Sequence, residues 1–329
     1  MLFAGLGEEG QSRLLASSAV IVGCGAIGAG VANLLVRSGV GRLRVVDRDF
    51  VEPSNLQRQV LFDEADARDV LPKSVAAERK LRAINSSASV EGIVADLNPG
   101  NIEELLSGFD LILDGTDNFE TRFLVNDFAI KSGCPWIYAA AVASYGLTMT
   151  ILPGRSACLA CLLESGPSQS LEETCDTIGV LGSIVQLVGS LEAAEALKLL
   201  SGREDTLHGK LISCDVWTGH FQSVRVERNP QCPCCSKHEF SYLQGQTQPH
   251  ITMCGRESVQ IHERRRALDL TALRNRLLST ATDVRCNDFL LRFRVPPYEM
   301  TVFADGRAIL KGTQDPSVAR SLYSRYIGA

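Results

Sequence analysis

Residues 19–47 read AVIVGCGAIGAGVANLLVRSGVGRLRVVD, and this stretch decides the fold of the chain. An apolar strand enters a Gly-x-Gly-x-x-Gly turn (Gly23, Gly25, Gly28), a helix follows, and a second apolar strand ends in Asp47. The glycines let backbone N–H groups approach phosphate oxygens, and an acid after the second strand is placed to bind ribose hydroxyls. The stretch therefore predicts a nucleotide-binding βαβ unit, and taken alone it indicates NAD.

The composition is that of an ordinary globular enzyme with one or two domains. Of 329 residues, 45% are hydrophobic and 22% are charged, and the net charge of −5 comes without a basic stripe. This argues against a nucleic-acid partner. Residues 14–36 carry no charge, but their glycines fit a strand–turn–helix unit better than a membrane span. Glu8 and Glu9 argue against a signal peptide, so we expect a cytoplasmic protein that does not bind membranes.

Strands and helices alternate along the first part of the chain. The pattern predicts strands at 90–94, 109–113 and 136–141 and helices at 73–85, 101–107 and 119–132. This alternation predicts an α/β fold with a doubly wound, mostly parallel sheet. We also expect a polar loop over 163–177, a long apolar helix over 178–200 and a short strand at 223–226.

The composition changes near residue 236. We expect a first domain over 1–236, a polar linker over 237–250, and a small α+β domain of unassigned role over 251–329. In the last part, SVQIH, FLLRFRV, MTVFAD and AILKG read as strands, with helices over 270–278 and 316–326 and a hairpin turn at ADGR.

Polar and charged side chains follow the predicted strand ends. They are Asp47, Asp49, Asn55, Gln57, Arg58, Lys73, Asp117 and Asn118. In a doubly wound sheet, such residues converge on one crevice. Arg58 and Lys73 can neutralise phosphate oxygens and Asp117 can hold Mg²⁺, which favours a nucleoside triphosphate over NAD. The competing interpretation is a set of solvated loop charges.

Eleven cysteines favour metal or thiol chemistry over disulfides in the cytoplasm. Cys158-x-x-Cys161 and Cys232-x-Cys234-Cys235 suit a tetrahedral zinc site. The pattern offers no open coordination position, so we expect the zinc to be structural. Cys234 is an extra thiol that could replace a member of the second pair, and redox-active or simply buried cysteines are the alternative.

Four motifs carry a resemblance to a known family. GCGAIG, VVDRDFVEPSNLQRQ, the PK of LPKS, and DGTDNFETRFLVND resemble the ThiF/MoeB adenylyltransferases, which are relatives of ubiquitin-activating enzymes, over residues 7–236. The resemblance implies a Rossmann-like fold with a zinc-bound end, and ATP, Mg²⁺ and structural Zn²⁺ as cofactors. It implies adenylylation of the C-terminal Gly-Gly carboxylate of a ubiquitin-like sulfur-carrier protein. A thiocarboxylate for thiamine, molybdopterin or tRNA thiolation would follow.

The resemblance also assigns residues. The expected nucleotide-binding set is Gly23, Gly25, Ala26, Gly28, Asp47, Asp49, Ser54, Asn55, Gln57, Arg58, Lys73, Asp117 and Asn118. Ala26 stands where the family usually has another glycine. Arg58, Lys73 and Asp117 are the expected catalytic residues. The family's second C-x-x-C pair selects Cys232 and Cys235 as zinc ligands beside Cys158 and Cys161.

Cys175, in TCDTIGV, is a further catalytic candidate. A thiol near a helix N-terminus can have a lowered pKa and act as a nucleophile. In ThiF-like members this cysteine forms an acyl-disulfide with the carrier, whereas in MoeB-like members it is dispensable. The alternative is an inert loop cysteine.

The resemblance implies a homodimer and a sulfur donor such as a cysteine desulfurase or a rhodanese. The family usually begins with an RYxRQ segment, whereas this chain begins MLFAGLGEEG, so we expect Arg13 or another cation to replace its last arginine unless the start is truncated. One alternative is adenylation of a peptide or amino-acid carboxylate in peptide natural-product maturation, with 251–329 as a peptide clamp. An NAD-linked oxidoreductase and a non-catalytic scaffold are weaker alternatives.

Overall fold

The computed structural model describes residues 3–163, 179–245, 258–261, 268–313 and 315–327. The chain forms two compact units that divide between residues 247 and 248. Each unit has its own sheet and its own hydrophobic core. Within the described residues, no helix is both long and apolar enough to cross a membrane.

The first unit is built on an eight-stranded sheet. Its strands are β1 (Ser18–Val22), β2 (Arg42–Asp47), β3 (Ser89–Val94), β4 (Leu111–Asp114), β5 (Trp136–Val142), β6 (Tyr145–Ile151), β7 (Leu211–Asp215) and β8 (His220–Val224). They lie in the order β3-β2-β1-β4-β5-β6-β7-β8, parallel up to β5 and antiparallel beyond it. The chain changes direction across the sheet between β1 and β4, where doubly wound folds bind ligands. The predicted α/β fold with a mostly parallel sheet is confirmed.

Helices cover both faces of this sheet. They are α1 (Gly7–Ala16), α2 (Ala26–Ser38), α3 (Glu64–Arg68), α4 (Lys73–Ile84), α5 (Ile102–Leu106), α6 (Phe119–Ser132), α7 (Leu159–Leu162) and α8 (Gly182–Leu200). One core lies between the sheet and α2, α4 and α8, and another lies on the face that α5, α6 and α7 cover. A Cβ on Gly146 of β6 would lie 2.3 Å from Val188 of α8, so this glycine permits their close packing.

Two predicted element bounds differ from the structure. Helix α8 begins at Gly182 rather than at residue 178, and β8 lies at His220–Val224 rather than at 223–226. The apolar side chains of α8 pack on α2, β5 and β6 of the same chain, so their apolar character needs no second subunit. Helices α3 and α7 are short, and their hydrophobic periodicity is too brief to be recognised in the sequence.

The second unit is an antiparallel sheet with two helices. Its elements are β9 (Ser258–Ile261), α9 (Leu270–Leu277), β10 (Thr282–Cys286), β11 (Leu290–Val295), β12 (Tyr298–Phe303), β13 (Ala308–Lys311) and α10 (Pro316–Tyr326). The strand order is β10-β11-β12-β13-β9. Leu273 and Tyr323 of the helices pack with Phe293 and Leu310 of the sheet. Strand β10 was not predicted, because its sequence TDVRC lacks an apolar alternation.

Candidate nucleotide site and cysteine cluster

The glycine turn follows β1 and packs closely against the backbone at the end of β4. Gly23 has a φ of +87°, and a Cβ on it would lie 2.5 Å from the carbonyl oxygen of Gly115. A Cβ on Gly28 would lie 2.0 Å from the carbonyl oxygen of Gly23. Both positions therefore require glycine. Helix α2 begins at Ala26, so Gly28 lies in its first turn, and the unpaired N–H groups of that turn lie at the switch point and suit an anion.

Asp47 and Asp49 tie the end of β2 to its neighbours. Asp47 accepts hydrogen bonds from the backbone N–H of Cys24 at 2.6 Å and of Asp49 at 2.7 Å. The Lys73 ammonium donates to the Asp49 carboxylate at 3.1 Å, and the Lys73 backbone N–H donates to the Asp49 carbonyl at 2.8 Å. The glycine turn, the end of β2 and the start of α4 are therefore one connected network.

The charges of this network are fixed by its surroundings. Burial alone would lower the pKa of Lys73, but the carboxylates of Asp49, Asp47 and Asp117 raise it above its ordinary value. Burial raises the pKa of Asp47, against the opposing effect of Lys73 and the backbone donors. Lys73 is 7% exposed and thus remains a buried cation. It lies close enough to Asp117 for their charges to interact.

Asp117 lies in the DGTDN loop after β4 and is exposed to solvent. No ion pair is recorded for it among the residues that the structure describes. An accessible carboxylate beside a crevice for phosphate is a suitable ligand for Mg²⁺, which is usually bound by one or two carboxylates together with phosphate oxygens. The structure therefore brings Asp117 to the same crevice as the glycine turn and Lys73.

The SNLQRQ segment lies between this crevice and α8. Asn55 is buried and accepts a hydrogen bond from the Glu52 backbone at 3.1 Å, which shapes the local turn. Arg58 donates to the Ser54 carbonyl at 3.1 Å, and its own carbonyl accepts from Gln186 of α8 at 3.3 Å. The side chains of Ser54 and Gln57 are exposed. At the far side of the crevice, Asn118 caps α6 by accepting from the Thr121 backbone at 2.8 Å.

Two further side chains belong to this crevice, and sequence reasoning missed them. Gln59 is 3% exposed, its Oε1 has no hydrogen-bond partner within the described part of the chain, and its Nε2 would lie 4.0 Å from a Cβ on Gly25. Arg48 pairs with Asp96 at 2.8 Å and also interacts with Asp49 and Asp117. Their positions in the sequence are the signal that could have identified them. Arg48 lies between the two selected acids in DRD, and Gln59 is the last residue of SNLQRQ.

Four buried thiols form a cluster at the junction of α7 with the segment around residue 232. The sulfur atoms of Cys158, Cys161, Cys232 and Cys235 all lie within 4.8 Å of one another. The Cys158 sulfur is 3.9 Å from that of Cys161 and 3.6 Å from that of Cys232, and the Cys161 and Cys235 sulfurs are 3.4 Å apart. Bonds of about 2.3 Å in a tetrahedron place sulfurs roughly 3.8 Å apart, so the cluster fits zinc.

Cys234 lies outside this set of four. Its sulfur accepts a hydrogen bond from the Asn126 side chain at 3.2 Å. A hydrogen bond with Cys158 and burial both raise the pKa of the Cys234 thiol. The geometry thus favours Cys232 and Cys235 for the second pair. Cys175 falls outside the described residues, so its role stays a prediction.

Arg13 lies at the opposite end of α8 from the SNLQRQ segment. It pairs with Glu9 at 2.8 Å, and its guanidinium lies beside Gly202, which follows α8. Gly182, at the start of α8, lies beside the Gln57 carbonyl. Because the 19 residues of α8 span about 28 Å, Arg13 is remote from the crevice of its own subunit.

Comparison with known proteins identifies the family. The model of the ThiF family matches residues 1–234. The chain belongs to the ThiF family. The resemblance inferred from GCGAIG, SNLQRQ and DGTDN is therefore confirmed.

Relatives of this ThiF-family chain include two adenylyltransferases. The sulfur carrier protein ThiS adenylyltransferase of Bacillus subtilis is 43% identical in an alignment 331 positions long, gaps included, that covers 99% of this chain and 97% of the relative. The sulfur carrier protein adenylyltransferase of Thermus thermophilus is 40% identical in an alignment of 240 positions that covers 71% of this chain and 88% of the relative. The second alignment is therefore much shorter than this chain.

Solved structures include Escherichia coli MccB, crystallised with MccA-N7isoASN. It superposes with a TM-score of 0.62 at 26% identity and covers 69% of each chain. The fold is therefore shared with a protein whose name differs from those of the two sulfur carrier protein adenylyltransferases.

Proposed function

We propose that this chain uses ATP to adenylylate the C-terminal Gly-Gly carboxylate of a ubiquitin-like sulfur-carrier protein. One observation carries the proposal: the glycine turn, the buried Lys73 cation and the exposed Asp117 carboxylate lie at one crevice, and their charges interact. A nicotinamide dinucleotide has no use for that added cation and acid, whereas a triphosphate and its metal ion do. The near full-length similarity to a ThiS adenylyltransferase supports the same carrier class.

The crevice residues take the following roles in the proposal. Backbone N–H groups from Gly23 to Gly28 hold phosphate oxygens, and Asp47 binds the ribose hydroxyls. Lys73 and Arg58 neutralise the charge that develops on the phosphates. Mg²⁺, held by Asp117, would supply further charge neutralisation. Ser54, Asn55, Gln57 and Asn118 complete the nucleotide surface.

The reaction needs no general base. The carrier carboxylate is ionised at neutral pH, and one of its oxygens attacks the α-phosphorus of ATP. A new P–O bond forms, the bond from the α-phosphorus to the bridging oxygen breaks, and pyrophosphate leaves with that electron pair. Charge builds on the leaving oxygens, where the Lys73 and Arg58 cations act.

An exposed apolar surface offers a place for the carrier body. Strand β8 is the terminal strand of the large sheet, and Phe221 and Val224 on it are exposed. Trp217, in the adjoining turn, is 79% exposed, and Tyr145 of β6 is also exposed. Phe221 and Val224 are three residues apart on one strand, so they lie on opposite faces of the sheet, and Tyr145 lies on the face opposite Phe221. Exposed aromatic side chains near an edge strand are typical of protein-binding surfaces.

The steps after adenylylation are proposed from the family rather than from contacts in the structure. We propose that Cys175 forms the acyl-disulfide and that a cysteine desulfurase or a rhodanese supplies the sulfur. We also propose a homodimer, a structural Zn²⁺ on the four-cysteine cluster and a cytoplasmic location. The described cysteines are all free thiols, which supports a reducing compartment.

Adenylation of a peptide carboxylate is the second candidate, and the similarity to MccB favours it over the remaining alternatives. Its alignment leaves about a third of this chain uncovered, whereas the ThiS adenylyltransferase aligns over nearly the whole length. Adenylylation of a sulfur-carrier protein therefore fits the comparisons better than adenylation of a peptide.

ATP–pyrophosphate exchange tests the proposal. We expect exchange with the purified chain, Mg²⁺ and a ThiS-type carrier that ends in Gly-Gly, and none with the matched carrier that lacks its final glycine. A synthetic peptide of the last seven carrier residues serves as the peptide substrate. Exchange driven equally well by that peptide would favour peptide adenylation, and binding of NADH without binding of ATP would overturn both.

A further inference from the structure

A buried polar network fills the gap where β4 and β5 separate. The registered pairing of β4 with β5 ends at Leu113. At the next residue, the Asp114 backbone N–H donates to the Glu192 Oε1 of α8 at 2.9 Å. A helix side chain thus takes the place of a strand carbonyl at the point where the DGTDN loop begins.

The Asp114 carboxylate then fixes that loop. It accepts from the backbone N–H of Thr116 at 2.9 Å and from the Thr116 hydroxyl at 2.7 Å, and it pairs with the Arg122 guanidinium at 2.9 Å. Arg122 also donates to the carbonyls of Thr116 at 2.7 Å and Ala139 at 3.0 Å. Asp117 follows directly, so its position depends on this network.

The network holds two acids and one cation. Arg122 is ion-paired with Asp114, and these two are the charged groups from other elements that act on Glu192. Tyr138 of β5 interacts with Asp114 and Arg122, and Glu195, one turn along α8, bonds to Lys198 and Thr150. Glu192 itself is 0% exposed, and its Oε2 has no hydrogen-bond partner in the described residues.

An ionised Glu192 would be a buried, unpaired anion next to the Asp114 carboxylate, and such a charge is strongly unfavourable. A neutral carboxylic acid can still accept the Asp114 hydrogen bond through its carbonyl oxygen. We propose that Glu192 is an uncharged positioning residue that fixes Asp114 and, through it, the loop that carries Asp117. This inference rests on the adenylylation proposed above for its effect on activity.

The proposal has a definite pH signature. Burial and the Asp114 carboxylate raise the pKa of Glu192 well above its ordinary value. The unfolded chain therefore loses this proton at a lower pH than the folded chain. The stabilising contribution is complete below about pH 4 and falls as the pH rises toward the folded-state pKa, by up to tenfold in the folding equilibrium constant per pH unit.

Thermal unfolding of the full chain between pH 5 and pH 8 tests the charge state. Glu192→Gln keeps the acceptor oxygen and cannot ionise, so its melting temperature should rise relative to wild type as the pH increases. Glu195→Gln is the matched control on the same helix, because Glu195 is already paired with Lys198 and does not contact the loop. A difference between wild type and Glu192→Gln that stays constant over this range would overturn the proposal.

Exchange kinetics test the positioning role. Glu192→Gln should keep kcat for ATP–pyrophosphate exchange within about twofold, whereas Glu192→Leu should lower kcat about tenfold or more with a smaller change in KM for ATP, because the loop loses its anchor. Equal losses in both variants would overturn the proposal. If wild type shows no exchange, the proposed function fails, while the unfolding experiment still decides the charge of Glu192.

Discussion

The nucleotide crevice and the cysteine cluster are opposite kinds of polar site in one domain. The charged side chains of the crevice range from the buried Lys73 to Asp117, which is open to solvent. The four thiols are all buried and contact one another rather than a crevice. A site that carries out chemistry must keep some groups accessible, whereas a site that stabilises the fold can be closed to solvent.

The largest expected effect is loss of stability at the cysteine cluster. Cys232→Ser removes one of the four proposed thiolate ligands, and we expect the melting temperature to fall by about 10 °C or more, since a structural zinc at this cluster would contribute directly to folding. Calorimetry together with zinc content by mass spectrometry measures this. Cys234→Ser is the control and should retain the metal. Equal metal loss in both variants would mean that Cys234 is a ligand.

The next effect is loss of activity without loss of stability. Asp117→Ala should lower ATP–pyrophosphate exchange about 100-fold or more, because the proposed Mg²⁺ site loses its carboxylate. The stability change should stay within about 0.5 kcal/mol, since Asp117 is exposed. Glu103→Ala, at an exposed position of α5, is the matched control. Exchange at wild-type level in Asp117→Ala would remove this residue from the site.

Substitution of Lys73 should reduce both activity and stability, because this residue belongs to the crevice and also pairs with Asp49. Lys73→Met leaves the Asp49 carboxylate without its ammonium partner, so we expect a loss of about 1–3 kcal/mol in unfolding free energy. Exchange should also fall at least tenfold. Urea unfolding and exchange assays on the same preparation separate the two losses. A variant that keeps full exchange would show that Lys73 acts only on structure.

The smallest effect on exchange is expected at Cys175. Cys175→Ala should leave ATP–pyrophosphate exchange within about twofold, because adenylylation precedes any covalent bond to sulfur. Mass spectrometry of the carrier after incubation with a sulfur donor should show the adenylate but no thiocarboxylate. Loss of exchange itself in this variant would contradict the division of roles.

Local patterns gave most of the fold and the outline of both sites. The glycine turn, the acid after β2 and the pairs of cysteines are short motifs whose chemistry requires those residues wherever the chain goes. The start of α8 was placed too early, because the apolar run continues upstream of Gly182. Strand β10 was missed because it is polar. Arg48 and Gln59 adjoin selected residues in DRD and SNLQRQ, but only the contacts in the fold show that they belong to the crevice.

The glycine turn, the family and the candidate metal ligands can all be identified from the sequence alone. Each depends on spacing along the chain and on the chemistry of the side chains. The fold determines which two of three neighbouring thiols join the cluster, since the Cys234 sulfur accepts a hydrogen bond from Asn126 instead. The fold also sets the protonation state of Glu192, whereas the sequence alone suggests an ordinary surface acid in a helix. Burial beside Asp114 and Arg122, 78 and 70 residues away in the chain, makes a neutral acid there the lower-energy form.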